Sequence, residues 1–191
     1  MAGKQAKVLS SGAIEDLLIY SQTTRHPERN RVMVLLSAKA GLRAGEIANL
    51  TWAMVLDSTG EISQVIELRD EAAKKRSGRL IPMHAQLRQT LGALRDLTGS
   101  TGHVIRSERG AAMKPLSVVI WFAIAYRALG LEGCSSHSGR RTFITRAARL
   151  IYKAGGSLRD VQLLAGHQSI QTTQRYIDGD TDAQRRLVAL L

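Results

Sequence analysis

A single cysteine, Cys134, in 191 residues leaves no intrachain disulfide to stabilise a fold and no multi-cysteine cage for a metal. On its own it reads as a small packed or loop residue. Long apolar runs are equally lacking, since none approaches the roughly 20 residues of a membrane-spanning helix. The N-terminus, MAGKQAKVLSS, has no signal-peptide apolar core, so nothing supports a membrane partner. No internal repeat, low-complexity tract or linker divides the chain, and its length suits one domain with a sizeable interior. Acidic residues are scarce: 16 Asp plus Glu stand against 27 Lys plus Arg, a net charge of +11 with a pI near 10.5. An excess of that size favours an anionic polymer as partner, because each neutralised phosphate releases counterions. The totals therefore predict a soluble protein of a reducing cytoplasm that acts on nucleic acid.

Apolar periodicity predicts a mainly α protein with a small antiparallel β-sheet, an α+β fold. Residues 1–10 are polar and read as flexible. Ser10 or Ser11 then caps a helix carrying Ile14, Leu17 and Leu18. Pro27 suits a first helical position, and Val32, Leu35 and Leu36 mark a buried face that ends at Gly41. Behind the glycine, GLRAGEIANLTW opens a short helix on which Arg43 and Glu46 share one face while Ile47 and Leu50 turn inward. A structural salt bridge explains that pair alone; the functional reading is that Glu46 orients an outward guanidinium.

From Met54 to Met83 the period shortens and predicts a sheet of about three strands, with Lys74, Lys75, Arg76 and Arg79 at its second turn. A solvated basic hairpin and a DNA-reaching loop both fit that turn. Leu87, Leu91, Leu94 and Leu97 form the stripe of the next helix and read as core. LSVVIWFAIAYRALG, opened by Lys114 and Pro115, is the most apolar helix and the expected central one. Its first turn, with Lys114 and Ser117, is suited to touching a phosphate. HSGRRTFITRAARLIY then places His137 and Arg140 three apart, with Phe143, Ile144, Ala147 and Leu150 as its buried side. Finally LLAGHQSIQTTQRY sets His167 in a turn and Tyr176 at a helix end, ahead of an amphipathic tail over residues 181–191.

Arg43, a lysine at 74 or 75, His137, Arg140, His167 and Tyr176 together make a cationic group without clustered acids. Magnesium wants carboxylates, so these residues fit a metal-free and cofactor-free site. Paired guanidinium forks match the equatorial oxygens of a phosphoryl transition state, and donors fixed where charge develops are usually the largest catalytic contribution. Tyrosine supplies a nucleophile, and its usual pKa of about 10 calls for positive charge or a base nearby.

These residues resemble the tyrosine recombinases, or phage-type integrases. GLRAGE is similar to that family's first arginine box, HSGRR to its HxxR box and GHQSIQTTQRY to its histidine and nucleophile box. The resemblance implies the tyrosine recombinase catalytic-domain fold. It implies that Arg43 and Arg140 clamp a scissile DNA phosphate and His167 donates to a nonbridging oxygen. Tyr176 would form a 3′-phosphotyrosyl bond, and His137 would help accept its proton. In that family the general acid is a hairpin lysine eight residues before the strand proline, a register that would select Lys74 ahead of Pro82, with Lys75 as the alternative. Glu46 supports Arg43. Residues on elements that the family lays on DNA are Lys75, Arg76, Arg79, Lys114, Ser117, Arg141 and Thr173.

The expected activity is site-specific recombination of double-stranded DNA. A type IB topoisomerase-like relaxation of DNA and a catalytically silent DNA-binding accessory protein are the alternatives. The resemblance also implies a homo-oligomer, a tetramer on DNA and a monomer in free solution, with the 181–191 helix either exchanged between protomers or, without DNA, packed back on its own domain. Accessory directionality or architectural proteins, a bacterial or phage origin and a place at the nucleoid go with it. Two departures from the family stand out: Gly139 occupies a position where the family commonly has leucine, and the catalytic pattern is expected to fill residues 1–191 as one domain without the family's N-terminal core-binding domain, either as a naturally single-domain recombinase or as a piece cut from a longer protein.

Overall fold

The computed structural model describes residues 6–73, 77–176 and 188–189. Lys74, Lys75, Arg76 and nearly all of the 181–191 segment lie outside the described residues. The elements run α1 (Ser11–Gln22), α2 (Pro27–Lys39), α3 (Ala44–Asn49), β1 (Val65–Leu68), β2 (Arg79–Pro82), α4 (Ala85–Thr98), α5 (Pro115–Ala128), α6 (Ser138–Leu150), α7 (Leu158–Ala165) and α8 (Ile170–Gln174). No helix among these residues is long and apolar enough to cross a membrane.

The centre of the molecule is α2. Pro27 opens it, Glu28 stands in its first turn, and Val32 to Leu36 are buried in succession. A helix buried all round needs neighbours on every side, and α1, α4 and α6 supply them. The helix expected at the centre, α5, lies at the surface. Only Val118, Phe122, Ala125 and Tyr126 are buried, whereas Leu116, Ile120 and Ile124 are exposed. It packs chiefly on the short α3, which covers one face of it. Apolar composition measured what that helix carries rather than what surrounds it. For the same reason Leu97 on α4 and Leu150 on α6, both expected in the core, are 71% and 57% exposed.

The predicted three-stranded sheet is a two-stranded one in the described residues, with β1 and β2 antiparallel and Val65 opposite Pro82. The segment read as the first strand instead holds a 3-10 turn over Trp52–Met54, and Leu56 makes one isolated bridge to Ile62. Burial of Trp52 and Met54 draws that segment into the main core instead of along a strand edge.

Residues 6–10 are tied down rather than loose. The Lys7 amide donates to Gly133 O at 3.2 Å and the Leu9 amide to Thr142 Oγ1 at 2.7 Å. Arg146 Nη2 donates to Leu9 O at 3.3 Å, so this segment is strapped across α6 before Ser10 caps α1.

Two contacts fix how α6 meets α2. Gly41 has a positive φ of 66°, and a Cβ there would run into the ring of Phe143. At Gly139, a Cβ would stand 2.9 Å from Ser37 Cβ, with Ser37 Oγ nearer still. The leucine common at this position in the resembled family therefore has no room here. Gly139→Leu is expected to cost about 1–3 kcal/mol or more of stability from overpacking. Chemical denaturation measures it, and Ser37→Gly in the same chain should return part of the loss.

Beyond α6 a second, smaller core forms from Ile144, Ala148, Val161 and Ala165. Phe143, Leu158 and the half-buried Tyr176 pack against it.

Candidate active site

Five of the six residues singled out as catalytic line one cleft of about 530 Å³: Arg43, His137, Arg140, His167 and Tyr176. The sixth, Lys74, lies outside the described residues, as do Lys75 and Arg76. The cleft draws on four helix ends or turns. Arg43 is the N-cap of α3, His137 the N-cap of α6, Arg140 sits one turn into α6, and His167 and Tyr176 flank α8. Residues at helix ends hold their side chains clear of the helix barrel, which is how sequence-distant groups reach one space. Among the described residues no three His, Cys, Asp or Glu side chains converge as metal ligands would.

Arg140 is nearly buried, and its guanidinium is anchored at two points. Nη1 donates to Gly41 O at 2.5 Å, just past the end of α2, and Nη2 donates to Ala165 O at 2.6 Å, at the end of α7. Carbonyls at helix C-termini carry partial negative charge and lack partners within the helix, so they suit a cation. Burial, and then the neighbouring Arg43, push the Arg140 pKa down to about 10, which still leaves it charged at neutral pH.

Behind the cleft Glu46 is 1% exposed and shared between two arginines. Its Oε1 accepts from Arg43 Nη1 at 2.6 Å and its Oε2 from Arg79 Nη2 at 3.0 Å, while the Arg43 amide donates to Oε2 at 3.0 Å. Burial alone would raise the Glu46 pKa; the hydrogen bonds and charges of Arg79 and Arg43 outweigh it and hold the carboxyl below its ordinary range. The guanidinium of Arg79 also reaches Leu164 O through Nε at 2.8 Å. Arg79, expected among DNA contacts, is thus a buried connector joining β2, α3 and α7. A sequence scan sees a basic residue in a basic hairpin and misses it, because the signal is a carboxylate 33 residues away.

His167 occupies the turn between α7 and α8, where its amide donates to Gln162 O at 3.1 Å. Its ring stacks on Tyr176, with centroids 5.6 Å apart and planes 23° apart. Burial first, and then Arg140, Arg43 and Arg79, push its pKa down to about 4. At neutral pH His167 is therefore an uncharged imidazole. Arg141 lines the cleft with its guanidinium carbon 6.0 Å from the centre of the Tyr176 ring. Of the other expected DNA contacts, Lys114 and Ser117 are exposed at the start of α5, outside the cleft lining. Thr173 is fully buried, with its hydroxyl turned to the His167 ring. The cleft wall also includes Ala6, Ser135, Thr172 and Arg175, which motif reading passed over.

Residues 7–182 match the model of the phage integrase family. A curated relative, the tyrosine recombinase XerC of Rhizobium meliloti (strain 1021), is 29% identical over 158 residues, covering 80% of this chain and 46% of the relative. The chain spans about half the length of the curated relatives it matches. Among solved structures, the Tn1549 transposon integrase in complex with transposon right end DNA aligns with a TM-score of 0.76 at 20% identity. That alignment covers 100% of this chain and 67% of the integrase. A lambda integrase tetramer bound to a Holliday junction aligns with a TM-score of 0.68 at 20% identity over 92% of this chain and 49% of that one. The fold is accordingly that of tyrosine recombinase catalytic domains.

Proposed function

Since this chain belongs to the phage integrase family, we propose that it cleaves and rejoins double-stranded DNA at specific sites through a covalent 3′-phosphotyrosyl intermediate. The observation that carries the reading is the meeting of Arg43, His137, Arg140, His167 and Tyr176 in one cleft. Arg43 and Arg140 bracket the scissile phosphate, and the carbonyl anchors of Arg140 hold its fork in place without induced movement. Tyr176 Oη attacks phosphorus, the bond to the 5′-oxygen breaks, and His137 takes the phenolic proton. His167 donates a hydrogen bond to a nonbridging oxygen. Lys74, or Lys75 in its stead, protonates the departing 5′-oxygen. The phosphotyrosyl link preserves the bond energy, so attack by a 5′-hydroxyl rejoins the strand without a nucleotide cofactor or a metal ion.

Two DNA sites must be exchanged, so the acting unit is a homo-oligomer, a tetramer on paired sites, as the lambda integrase neighbour is on its junction. These residues supply the catalytic domain of that unit, which acts in the cytoplasm, at the nucleoid.

Nicked duplexes tiling the DNA that flanks the encoding gene test the reading. A nick that lets the short fragment bearing the freed 5′-hydroxyl diffuse away should trap a protein–DNA adduct that survives denaturant, and peptide mapping should place it on Tyr176. Absence of any adduct across the tiled set, with DNA binding intact, would overturn the proposal.

A further inference from the structure

His167 is neutral at physiological pH, so one ring nitrogen carries a proton and the other must accept one. Which is which decides what the cleft sees. The ring nitrogen Nδ1 lies 2.9 Å from the hydroxyl oxygen of Thr173, one turn into α8. Thr173 is fully buried, and among the described residues that hydroxyl has no other hydrogen-bond partner. If Nδ1 carried the proton, the hydroxyl would accept it and its own proton would be left buried without an acceptor. Leaving a buried donor unpaired is the costlier arrangement. If the hydroxyl donates to Nδ1, the donor is satisfied and the ring proton falls on Nε2. A threonine inside a helix ordinarily returns its hydroxyl to a carbonyl one turn back; here it turns to a ring six residues earlier in the chain.

The surroundings agree with this assignment. Arg43, Arg140 and Arg141 share the cleft wall with His167, and such a cleft favours an anion. A bare nitrogen lone pair facing an anionic oxygen repels it, whereas an N–H attracts it. The backbone of the histidine is fixed as well, because Gln162 Nε2 donates to His167 O at 2.9 Å. Turn and ring are therefore held by two separate hydrogen bonds, one from α7 and one from α8.

We infer that Thr173 is a positioning residue whose buried hydroxyl donates to Nδ1 of His167 and so fixes the Nε2–H tautomer, presenting an N–H donor to an anionic oxygen bound between Arg43 and Arg140. It rests on the proposed function for the identity of that oxygen, a nonbridging oxygen of the scissile phosphate. The tautomer itself depends only on the residues of this chain.

The test uses the full chain with 15N-labelled histidine. Long-range proton–nitrogen correlation spectra at pH 7, with His167→Gln to identify the signal, report which ring nitrogen is protonated. The expected result is Nε2–H in the wild type, loss of that single tautomer in Thr173→Val, and its return in Thr173→Ser. In parallel, single-turnover cleavage of a nicked duplex at saturating DNA should slow about tenfold in Thr173→Val, the worth of one orienting hydrogen bond, with DNA affinity unchanged. Thr173→Ser should restore the rate. An Nδ1–H tautomer in the wild type overturns the inference whether or not any variant folds. So does a Thr173→Val chain that keeps both the tautomer and the rate. If the tautomer responds as expected while the wild type forms no adduct with any duplex, the proposed function fails and the role of Thr173 stands.

Discussion

Arg79→Met is expected to remove about 3–5 kcal/mol of folding stability, because it breaks a buried ion pair from one side and leaves the charge of Glu46 in the interior. Methionine fills much of the volume of the arginine stem, so the loss is electrostatic more than steric. The pH dependence separates these causes. In the wild type the Glu46 carboxyl is held below its ordinary range, so its contribution is present above that range and is lost as pH falls through the lowered value. Without Arg79, burial is opposed chiefly by Arg43, and the carboxyl moves above its ordinary range. The folded variant then binds more protons than the unfolded one, and its stability rises as pH falls from 7 toward 5. Denaturant titrations of both chains at pH 7 and pH 5 should show the gap narrowing at the lower pH. Adding Glu46→Gln to Arg79→Met should recover part of the loss at pH 7, because a neutral amide is cheaper to bury than a carboxylate left with Arg43 as its one charged partner. A gap independent of pH, unaffected by Glu46→Gln, would mean that packing rather than charge accounts for the defect.

The largest effect on activity is expected from Arg140→Lys. Lysine retains the positive charge but has a single ammonium where the guanidinium spans Gly41 O and Ala165 O with separate nitrogens. An ammonium drawn to either carbonyl leaves the other unpartnered, and neither arrangement aims a fork at the cleft. Single-turnover cleavage should fall by on the order of 10²–10³, the usual consequence of losing one preorganised donor to a developing charge. DNA binding at moderate salt should change little, because nonspecific affinity follows the number of phosphates neutralised, which lysine preserves. Cleavage within threefold of wild type would show that the fork geometry of Arg140 is irrelevant to the reaction.

Most of the helical framework was legible because it obeys local rules. Ser10 caps α1, Pro27 opens α2, Gly41 ends the run that follows, and Ser157 begins α7, all as the sequence chemistry requires. The cleft residues were legible for a different reason: they fall in short boxes whose spacing reflects one chemistry, and folding brought Arg43, His137, Arg140, His167 and Tyr176 together. What escaped depends on pairings distant in the chain. The burial of Arg79 requires Glu46 on another element, and the inward turn of Thr173 requires the His167 ring to fold back over α8. Likewise α5 carries enough apolar side chains to be central, yet α2 holds that place because three helices surround it. Periodicity ranks faces within a helix; it does not say how many neighbours the helix will find.

The strap formed by residues 6–10 has a practical consequence. Its hydrogen bonds to Gly133 and Thr142 carry the chain along α6, and Ala6 lies on the wall of the cleft itself. Position 6 therefore belongs to the mouth of the reaction chamber as much as to the strap. A bulky side chain placed there would compete with substrate for the same opening, and an acidic one would do so by charge as well as bulk. The same geometry makes this position a natural point for attaching a reporter: a fluorophore carried on Ala6→Cys would sense the arrival of DNA directly, without touching any group that does chemistry.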